Sequence, residues 1–130
     1  MLLDGASGIT GTRVLPHHSG SDAQWFSHFV GGRICEYLDA SRGIVDSIRL
    51  AVDDSRDYIG EHGVTANEDL FPSSTLVVVS VSGDSVDIVS LGDSPVFTCL
   101  KDGSLVTMSD ARIAELDQAA VLASDYFSQI

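Results

Sequence analysis

Two acidic segments of this chain have the residue types of a site for a hard divalent cation. Asp4 and Gly5 follow the apolar pair 2–3, and Asp93 lies in a Gly-Asp-Ser turn after the apolar run 86–91. A carboxylate just past the end of a strand is held by rigid backbone and still reaches solvent. Mg²⁺ and Mn²⁺ prefer such oxygen ligands and keep several of their waters. The pattern therefore predicts metal-assisted hydrolysis, with Asp4 and Asp93 as the catalytic and metal-binding carboxylates.

The segment around Asp4 is predicted to begin with a strand fragment. Residues 1–3 have the pattern of the end of a strand, and residues 4–8 predict a turn because they combine aspartate with two glycines. The polar, glycine-rich stretch 8–21 predicts a surface loop that carries Pro16 and two histidines.

Two amphipathic helices are predicted next. Asp22 is expected to cap the first helix, over residues 23–38, and the Gly-Gly pair at 31–32 indicates a close approach to a packed neighbour because glycine weakens a helix. The second helix is predicted over 43–59. Asp39 and Ser41 are alternative caps at its start, and Gly60 and Gly63 are alternative stop signals at its end.

A β-meander is predicted to follow the polar connection 61–72. Its strands are expected at 74–81, 85–91, 95–100 and 104–108, separated by Gly- and Asp-containing turns at 82–84, 92–94 and 101–103. Asp110 is expected to cap a final helix with Ile113, Leu116, Ala120 and Phe127 inward. The predicted fold class is α+β, an antiparallel β-sheet flanked by helices.

Composition narrows the classes of partner. The 130 residues include 19 acidic and seven basic ones, a net charge of −12, which argues against nucleic acid or an anionic membrane as partner. The charge suits cation binding, or solubility alone. No run of 18 apolar residues and no basic, apolar leader occurs, so we expect a cytoplasmic protein. Cys35 and Cys99 are expected to be reduced thiols in the core.

Four short motifs occur in a fixed order, at residues 2–8, 73–79, 91–94 and 103–110. The first resembles the strand-then-Asp-Gly motif of the metal-dependent (type 2C) serine/threonine protein phosphatases, particularly bacterial members in which Ala-Ser follows Asp-Gly. The second is similar to the family's Ser/Thr-rich central strand, the third to its Gly-Asp-Ser turn, and the fourth to the hairpin before its Thr-x-Asp helix cap. The two predicted helices also lie where this family places a helix pair.

The resemblance implies a β-sandwich flanked by helices, of which this chain would form the front half, with two Mn²⁺ or Mg²⁺ ions at one end. It implies that Asp4 bridges both ions, that the Gly5 carbonyl is a further ligand, and that Asp93 supports a third ion or orients bound water. A metal-activated water would then attack the phosphoester of a phosphoserine or phosphothreonine in a protein substrate.

The chain also departs from the family pattern. A complete member has an acidic strand and a phosphate-binding arginine upstream and two further metal-binding aspartates downstream, and none of these has a counterpart here. The departure predicts either a fragment of a phosphatase domain, spanning residues 1–130, or a catalytically inactive phosphatase-like binding or regulatory module. The absence of the flanking strands would expose sheet edges, which could support a homodimer.

Three further side chains are candidates for the site. Arg13 lies in the loop after Asp4 and could replace the missing phosphate-binding arginine. His17 and His18 are candidates for the general acid, with a solvated loop as the alternative. Elsewhere, we expect the aromatic residues 25, 26 and 29 to anchor helix–sheet packing, and the acidic row Asp53, Asp54 and Asp57 to form a solvated helix face.

Overall fold

The computed structural model describes residues 1–6, 11–110 and 112. The chain divides into two compact units, Met1–Val89 and a second that begins at Ser90. The helices are α1 (Asp22–Asp39) and α2 (Ile44–His62), with a short 3₁₀ helix at Glu68–Leu70, and the strands are β1 (Leu2–Ala6), β2 (Ser73–Ser82), β3 (Ser85–Leu91), β4 (Val96–Cys99) and β5 (Leu105–Met108). The predicted α+β class is confirmed.

Strand β1 extends beyond the predicted boundary. Asp4 and Gly5 lie inside the strand and pair with Thr75 and Ser74 of β2. The prediction of a turn beginning at Asp4 is therefore wrong, because the ladder with β2 outweighs the local turn preference of Asp-Gly. Ser7 and Gly8, the rest of that predicted turn, lie outside the described residues.

The first sheet has the order β1-β2-β3, so the β-branched strand β2 is its central strand. A turn at Gly83 and Asp84 joins β2 to β3, as predicted, and the positive φ of 58° at Gly83 is one that glycine adopts without a Cβ penalty. Leu76 and Val78 of β2 are buried in a core cluster with residues of α1 and α2. Side chains alternate along a strand, so Val79 and Val81 lie on the opposite face, where they are 45% and 70% exposed.

Helix α1 begins one residue earlier than predicted. Ser21 is the N-cap, and its hydroxyl accepts a hydrogen bond from the backbone N–H of Gln24 at 3.1 Å. The expectation that Asp22 caps this helix is wrong. The expected close approach is confirmed at Gly31, where an added Cβ would lie 3.3 Å from Leu3, and it is absent at Gly32, around which there is open space.

Helix α2 is three residues longer than predicted at its end. Gly43 is the N-cap without any side-chain hydrogen bond, so neither Asp39 nor Ser41 caps the helix, and Gly63 rather than Gly60 ends it. The buried residues of the helix recur every fourth position, at Ser47, Ala51, Ser55 and Ile59. This spacing places them on one face, as the amphipathic pattern predicted.

A second core cluster corrects the prediction that residues 8–21 form only a surface loop. Val14 and Leu15 are 0% and 1% exposed and pack with Ile59 of α2. Leu70 and Phe71, from the connection predicted to be polar, pack against the same cluster. The loop is thus anchored by two apolar side chains in an otherwise polar segment.

The second unit contains a separate hairpin. Strands β4 and β5 pair antiparallel, with Val96 opposite Met108, and the turn at 101–103 occurs as predicted, closed by a hydrogen bond from Gly103 N–H to the Leu100 carbonyl at 2.9 Å. In the described residues these strands form their own two-stranded sheet, so the prediction of one continuous meander is wrong. Asp110 accepts a hydrogen bond from the Arg112 backbone N–H, and the helix predicted after it lies outside the described residues.

Two expectations from composition have different outcomes. Within the described residues, neither helix has the length and apolar character needed to cross a membrane. Cys35 and Cys99 are both exposed rather than buried, so the expectation of core thiols is wrong.

Candidate functional site

Asp4 lies on the face of the first sheet that is opposite to the helices. Its neighbour Leu3 pairs with Leu76 and packs in the core under α1 and α2. Because side chains alternate, Asp4 projects to the other face, beside Thr75. Asp4 is exposed, and within the described part of the chain its carboxylate forms no hydrogen bond or ion pair. The strand thus fixes the backbone of a carboxylate that is available to a ligand.

Gly5 lies where β1 approaches α1 most closely. A Cβ at this position would lie 2.6 Å from the Ser27 hydroxyl oxygen and 2.7 Å from the Ala23 carbonyl oxygen, both in α1. Only a residue without a side chain fits this approach. Packing of β1 against α1 therefore requires glycine at position 5. This requirement is independent of the predicted role of the Gly5 carbonyl as a metal ligand.

Asp93 lies in an exposed turn of the second unit. Gly92 has a φ of 94°, which glycine adopts readily, and the Ser90 hydroxyl donates to the Ser94 carbonyl across the turn at 2.9 Å. The predicted Gly-Asp-Ser turn is confirmed. Asp4 and Asp93 belong to different units, so their meeting at one metal centre remains a prediction.

The metal ligands expected from the sequence do not form a cluster in the described residues. Over residues 1–6, 11–110 and 112, no group of three or more His, Cys, Asp or Glu side chains is close enough to hold a metal ion. Mg²⁺ dehydrates reluctantly and needs well-placed oxygen ligands. One exposed carboxylate and a backbone carbonyl are too few, and the residues described here do not by themselves fit Mn²⁺ or Mg²⁺.

Arg13 uses its guanidinium inside its own loop. It donates to the carbonyl oxygens of Leu15 at 3.2 Å and His18 at 2.7 Å, and its Nε lies 4.0 Å from the Asp22 carboxylate. A role in binding phosphate would require Arg13 to leave these contacts. In the structure, the hydrogen bonds of Arg13 stabilise the loop that carries Val14 and Leu15.

Asp22 has a structural role other than the helix cap that the sequence predicted. It is 7% exposed, and its two carboxylate oxygens accept hydrogen bonds from the backbone N–H groups of Val14 and Leu15. The sequence did contain an indication of this role, since Asp22 directly follows Ser21, a residue type that commonly caps helices. With Ser21 as the N-cap of α1, the Asp22 side chain is free to bind another partner. Asp22 joins the loop to the start of α1.

The two candidate histidines have different environments. His17 is exposed. His18 is half-buried, and its Nε2 lies 3.1 Å from the hydroxyl of Tyr58 in α2. The His18 ring also lies 5.9 Å from the Trp25 ring, and Trp25 stacks on both Phe29 and Tyr58. The expectation of helix–sheet packing is confirmed for Phe26 and Phe29, which pack against the cluster that contains Leu76 and Val78 of β2. It is wrong for Trp25, which packs with Tyr58 of α2 and the loop cluster, and His18 is part of that packing.

No known protein family, curated protein or solved structure matches this chain. The assignment of a function therefore rests on the residues themselves and on the resemblance of the four motifs.

A polar network between α1 and α2 corrects the expectation that Asp54 faces solvent with Asp53 and Asp57. The Tyr37 hydroxyl donates to Asp54 at 2.6 Å, and the Arg33 Nε lies 3.1 Å from the same carboxylate. The Asp54 side chain is 26% exposed, so this ion pair is only partly hydrated. The hydrogen bond to Asp54 and the loss of hydration raise the pKa of Tyr37 above its ordinary value, because the neutral phenol is the form that donates.

We expect Tyr37 to ionise at a higher pH than an ordinary tyrosine. The hydrogen bond from the Tyr37 hydroxyl to Asp54 should contribute fully to the free energy of unfolding below the ordinary tyrosine pKa of 10.0. This contribution should be lost as the pH rises through the raised pKa of Tyr37 in the folded state. Tyrosinate absorbance recorded during an alkaline titration measures this. The Asp54→Asn variant should lower the pKa of Tyr37, whereas Asp57→Asn, on the exposed side of α2, should leave it unchanged. The Tyr37→Phe variant should lack the part of the absorbance change that occurs at the highest pH. If it instead lacks a part that occurs at the ordinary tyrosine pKa, the expectation is contradicted.

Proposed function

We propose that this chain is part of a metal-dependent serine/threonine protein phosphatase domain of type 2C, in which Asp4 is one of the metal-binding carboxylates. The observation that carries the proposal is the position of Asp4: an exposed carboxylate without a partner in the described residues, on the sheet face opposite two packed helices. The order of the four motifs and the helix pair between the first two support the same family.

The charge of the protein also supports a cation-dependent function. A net charge of −12 raises the local concentration of divalent cations and opposes nucleic acids and anionic membranes as partners. We propose a phosphorylated protein as the substrate and the cytoplasm as the location.

A homodimer through exposed strand edges of the first sheet is part of the same proposal, since β1 and β3 are the edge strands of that sheet in the described residues.

The other candidate residues have more limited support. Asp93 is exposed in a turn that a Ser90–Ser94 hydrogen bond spans, so its carboxylate is available to a metal centre. Arg13 and His18 would reach a phosphate only after giving up the contacts that they make in the first unit, whereas the exposed His17 needs no such change. His17 is therefore the better candidate of the two histidines for a general acid.

A catalytically inactive phosphatase-like module is the alternative function. It is favoured by the lack of any three-residue ligand cluster among the described residues. Under this alternative the fold would serve as a binding or regulatory surface. The phosphatase proposal, by contrast, requires further carboxylates in addition to Asp4 and Asp93.

Metal titration tests whether the described ligands suffice to bind a cation, and catalysis by a longer protein distinguishes the two functions. Isothermal titration of the chain with Mn²⁺ should show no binding tighter than about millimolar, because the described ligands are too few. A longer protein that carries this stretch should hydrolyse p-nitrophenyl phosphate and a phosphoserine peptide with Mn²⁺. In that protein Asp4→Asn should reduce activity by about 100-fold or more, since loss of even an outer-shell partner of a metal ligand costs about 10–100-fold.

Asp39→Asn provides the matched control for Asp4→Asn. Asp39 is an exposed aspartate at the end of α1, so its replacement removes the same charge without touching β1. Equal activity of Asp4→Asn and Asp39→Asn would refute the role of Asp4. Absence of Mn²⁺-dependent activity in the longer protein would select the inactive module.

A further inference from the structure

A cavity of about 280 Å³ lies between α1, α2 and the segment that leads into β2. Val52, Ser55 and Ile59 of α2 line one side of it, at the spacings of three and four that share a helix face. Phe26 of α1 and Phe71 add apolar surface from two other elements. Drug-sized ligand sites occupy about 300–1,000 Å³, so this cavity suits a smaller molecule.

Two opposite charges line the same cavity. Arg56 comes from α2, and Glu68 begins the 3₁₀ helix. Within the described ranges neither side chain forms an ion pair or hydrogen bond, whereas Arg13, Arg33, Arg49 and Arg112 each lie beside a carboxylate. A guanidinium binds a carboxylate through two parallel hydrogen bonds, and a carboxylate accepts from an ammonium group. The cavity thus offers one group for each charge of a zwitterion.

We propose that this cavity binds a small apolar α-amino acid of the size of leucine or phenylalanine. Arg56 holds the ligand carboxylate, Glu68 holds its ammonium group, and the ligand side chain packs against Phe26 and Phe71. This site is independent of the phosphatase function proposed above, because it involves none of the candidate metal or phosphate residues.

A buried hydroxyl also lines the cavity. Ser55 is 1% exposed, and its hydroxyl donates to the Val52 carbonyl at 2.7 Å. Because its proton is used in this way, the Ser55 oxygen is left as an acceptor at the cavity wall. A buried acceptor favours a ligand that carries a donor.

Charge complementarity distinguishes the zwitterion from simpler ligands. A carboxylic acid without an amine would place its negative charge near Glu68, and an amine without a carboxylate would place its positive charge near Arg56. Each of these ligands meets one like charge, which disfavours binding. An amino acid places an opposite charge beside both Arg56 and Glu68 at once, and its apolar side chain also buries surface in the cavity.

Ligand titrations followed by isothermal calorimetry test the proposal. L-phenylalanine and L-leucine should bind saturably at about 10 mM or below. Glycine, 3-phenylpropionate and 2-phenylethylamine should each bind at least about tenfold more weakly, since each lacks the apolar side chain or one of the two charges.

Substitutions assign the binding to the cavity. Arg56→Gln and Glu68→Gln should each weaken L-phenylalanine binding at least about tenfold. Arg49→Gln, on an exposed part of the same helix outside the cavity, should leave binding unchanged. Arg56 and Glu68 are exposed, so an unchanged urea midpoint will show that both variants fold. The proposal is overturned by no saturable binding of either amino acid, by equal binding of 3-phenylpropionate, or by unchanged binding in Arg56→Gln.

Discussion

Replacing Gly5 by alanine is expected to destabilise the first unit by about 3 kcal/mol, the upper end of the usual cost of overpacking. The added methyl group would lie 2.6 Å from the Ser27 hydroxyl and 2.7 Å from the Ala23 carbonyl oxygen. A side chain could rotate away, but the carbonyl belongs to the backbone of α1, so the whole helix must move from β1. Urea unfolding monitored by fluorescence of Trp25, the single tryptophan, measures the change.

Gly32→Ala provides the matched control for Gly5→Ala. Gly32 lies inside α1, and among the described residues no atom apart from the adjacent helix backbone lies within 4 Å of the position of an added Cβ. Alanine favours the helix over glycine, so this variant should gain about 0.5–1 kcal/mol. Opposite signs for the two glycines would show that close packing, rather than backbone freedom, requires Gly5. A Gly5→Ala variant as stable as the parent would contradict the proximity of α1 to β1.

The Asp22→Asn variant is expected to lose about 2–3 kcal/mol of unfolding free energy. The buried carboxylate accepts hydrogen bonds from two backbone N–H groups, those of Val14 and Leu15. Asparagine keeps one oxygen and presents an NH₂ group to the second donor, which leaves a buried amide unsatisfied. The Arg13 guanidinium also loses its charged neighbour. Denaturant unfolding at constant pH measures the loss.

Asp57→Asn is the control for Asp22→Asn. Asp57 is exposed on α2, and surface substitutions of this kind change stability by less than about 0.5 kcal/mol. Proteolysis within residues 11–21 should also become faster in Asp22→Asn alone, because the loop loses its attachment to α1. An Asp22→Asn variant as stable as Asp57→Asn would show that the two hydrogen bonds add no net stability.

Local patterns predicted the regular elements well. The amphipathic repeats of α1 and α2 are visible in the sequence because one face of each helix must be buried. The hairpin of β2 and β3 follows from two β-branched runs around a Gly-Asp turn. These features depend on residues close together in the chain, so the sequence carries their signals directly.

The predictions that were wrong concern residues whose environment depends on segments distant in the sequence. Asp4 has turn propensity, yet it lies in a strand because β2, about 70 positions later, supplies hydrogen-bonding partners. Val14 and Leu15 are two apolar residues without periodicity, and their burial depends on Ile59 of α2. Asp54 belongs to an acidic row, but Tyr37 and Arg33 on the other helix draw it into a network.

For the candidate site, too, the sequence indicated some features and the structure alone showed others. The residue types around Asp4 and Asp93 predict a site for a hard cation. Both carboxylates are exposed, but the described residues form no cluster of metal ligands, so the metal site stays a prediction. The sequence did not show that Gly5 is required by helix packing or that Arg13 and His18 are engaged in the loop. The cavity beside Arg56 and Glu68 also had no sequence signal, because its lining comes from three separate segments.

The sequence by itself determined the helices, the hairpins and the acidic character of this protein, since propensity, periodicity and charge are properties of neighbouring residues. Only the tertiary structure decided which face of the sheet carries Asp4, which loop residues are buried, and that Arg56 has no acidic partner in the described residues. These outcomes depend on contacts between distant segments, whose free energies no local pattern contains.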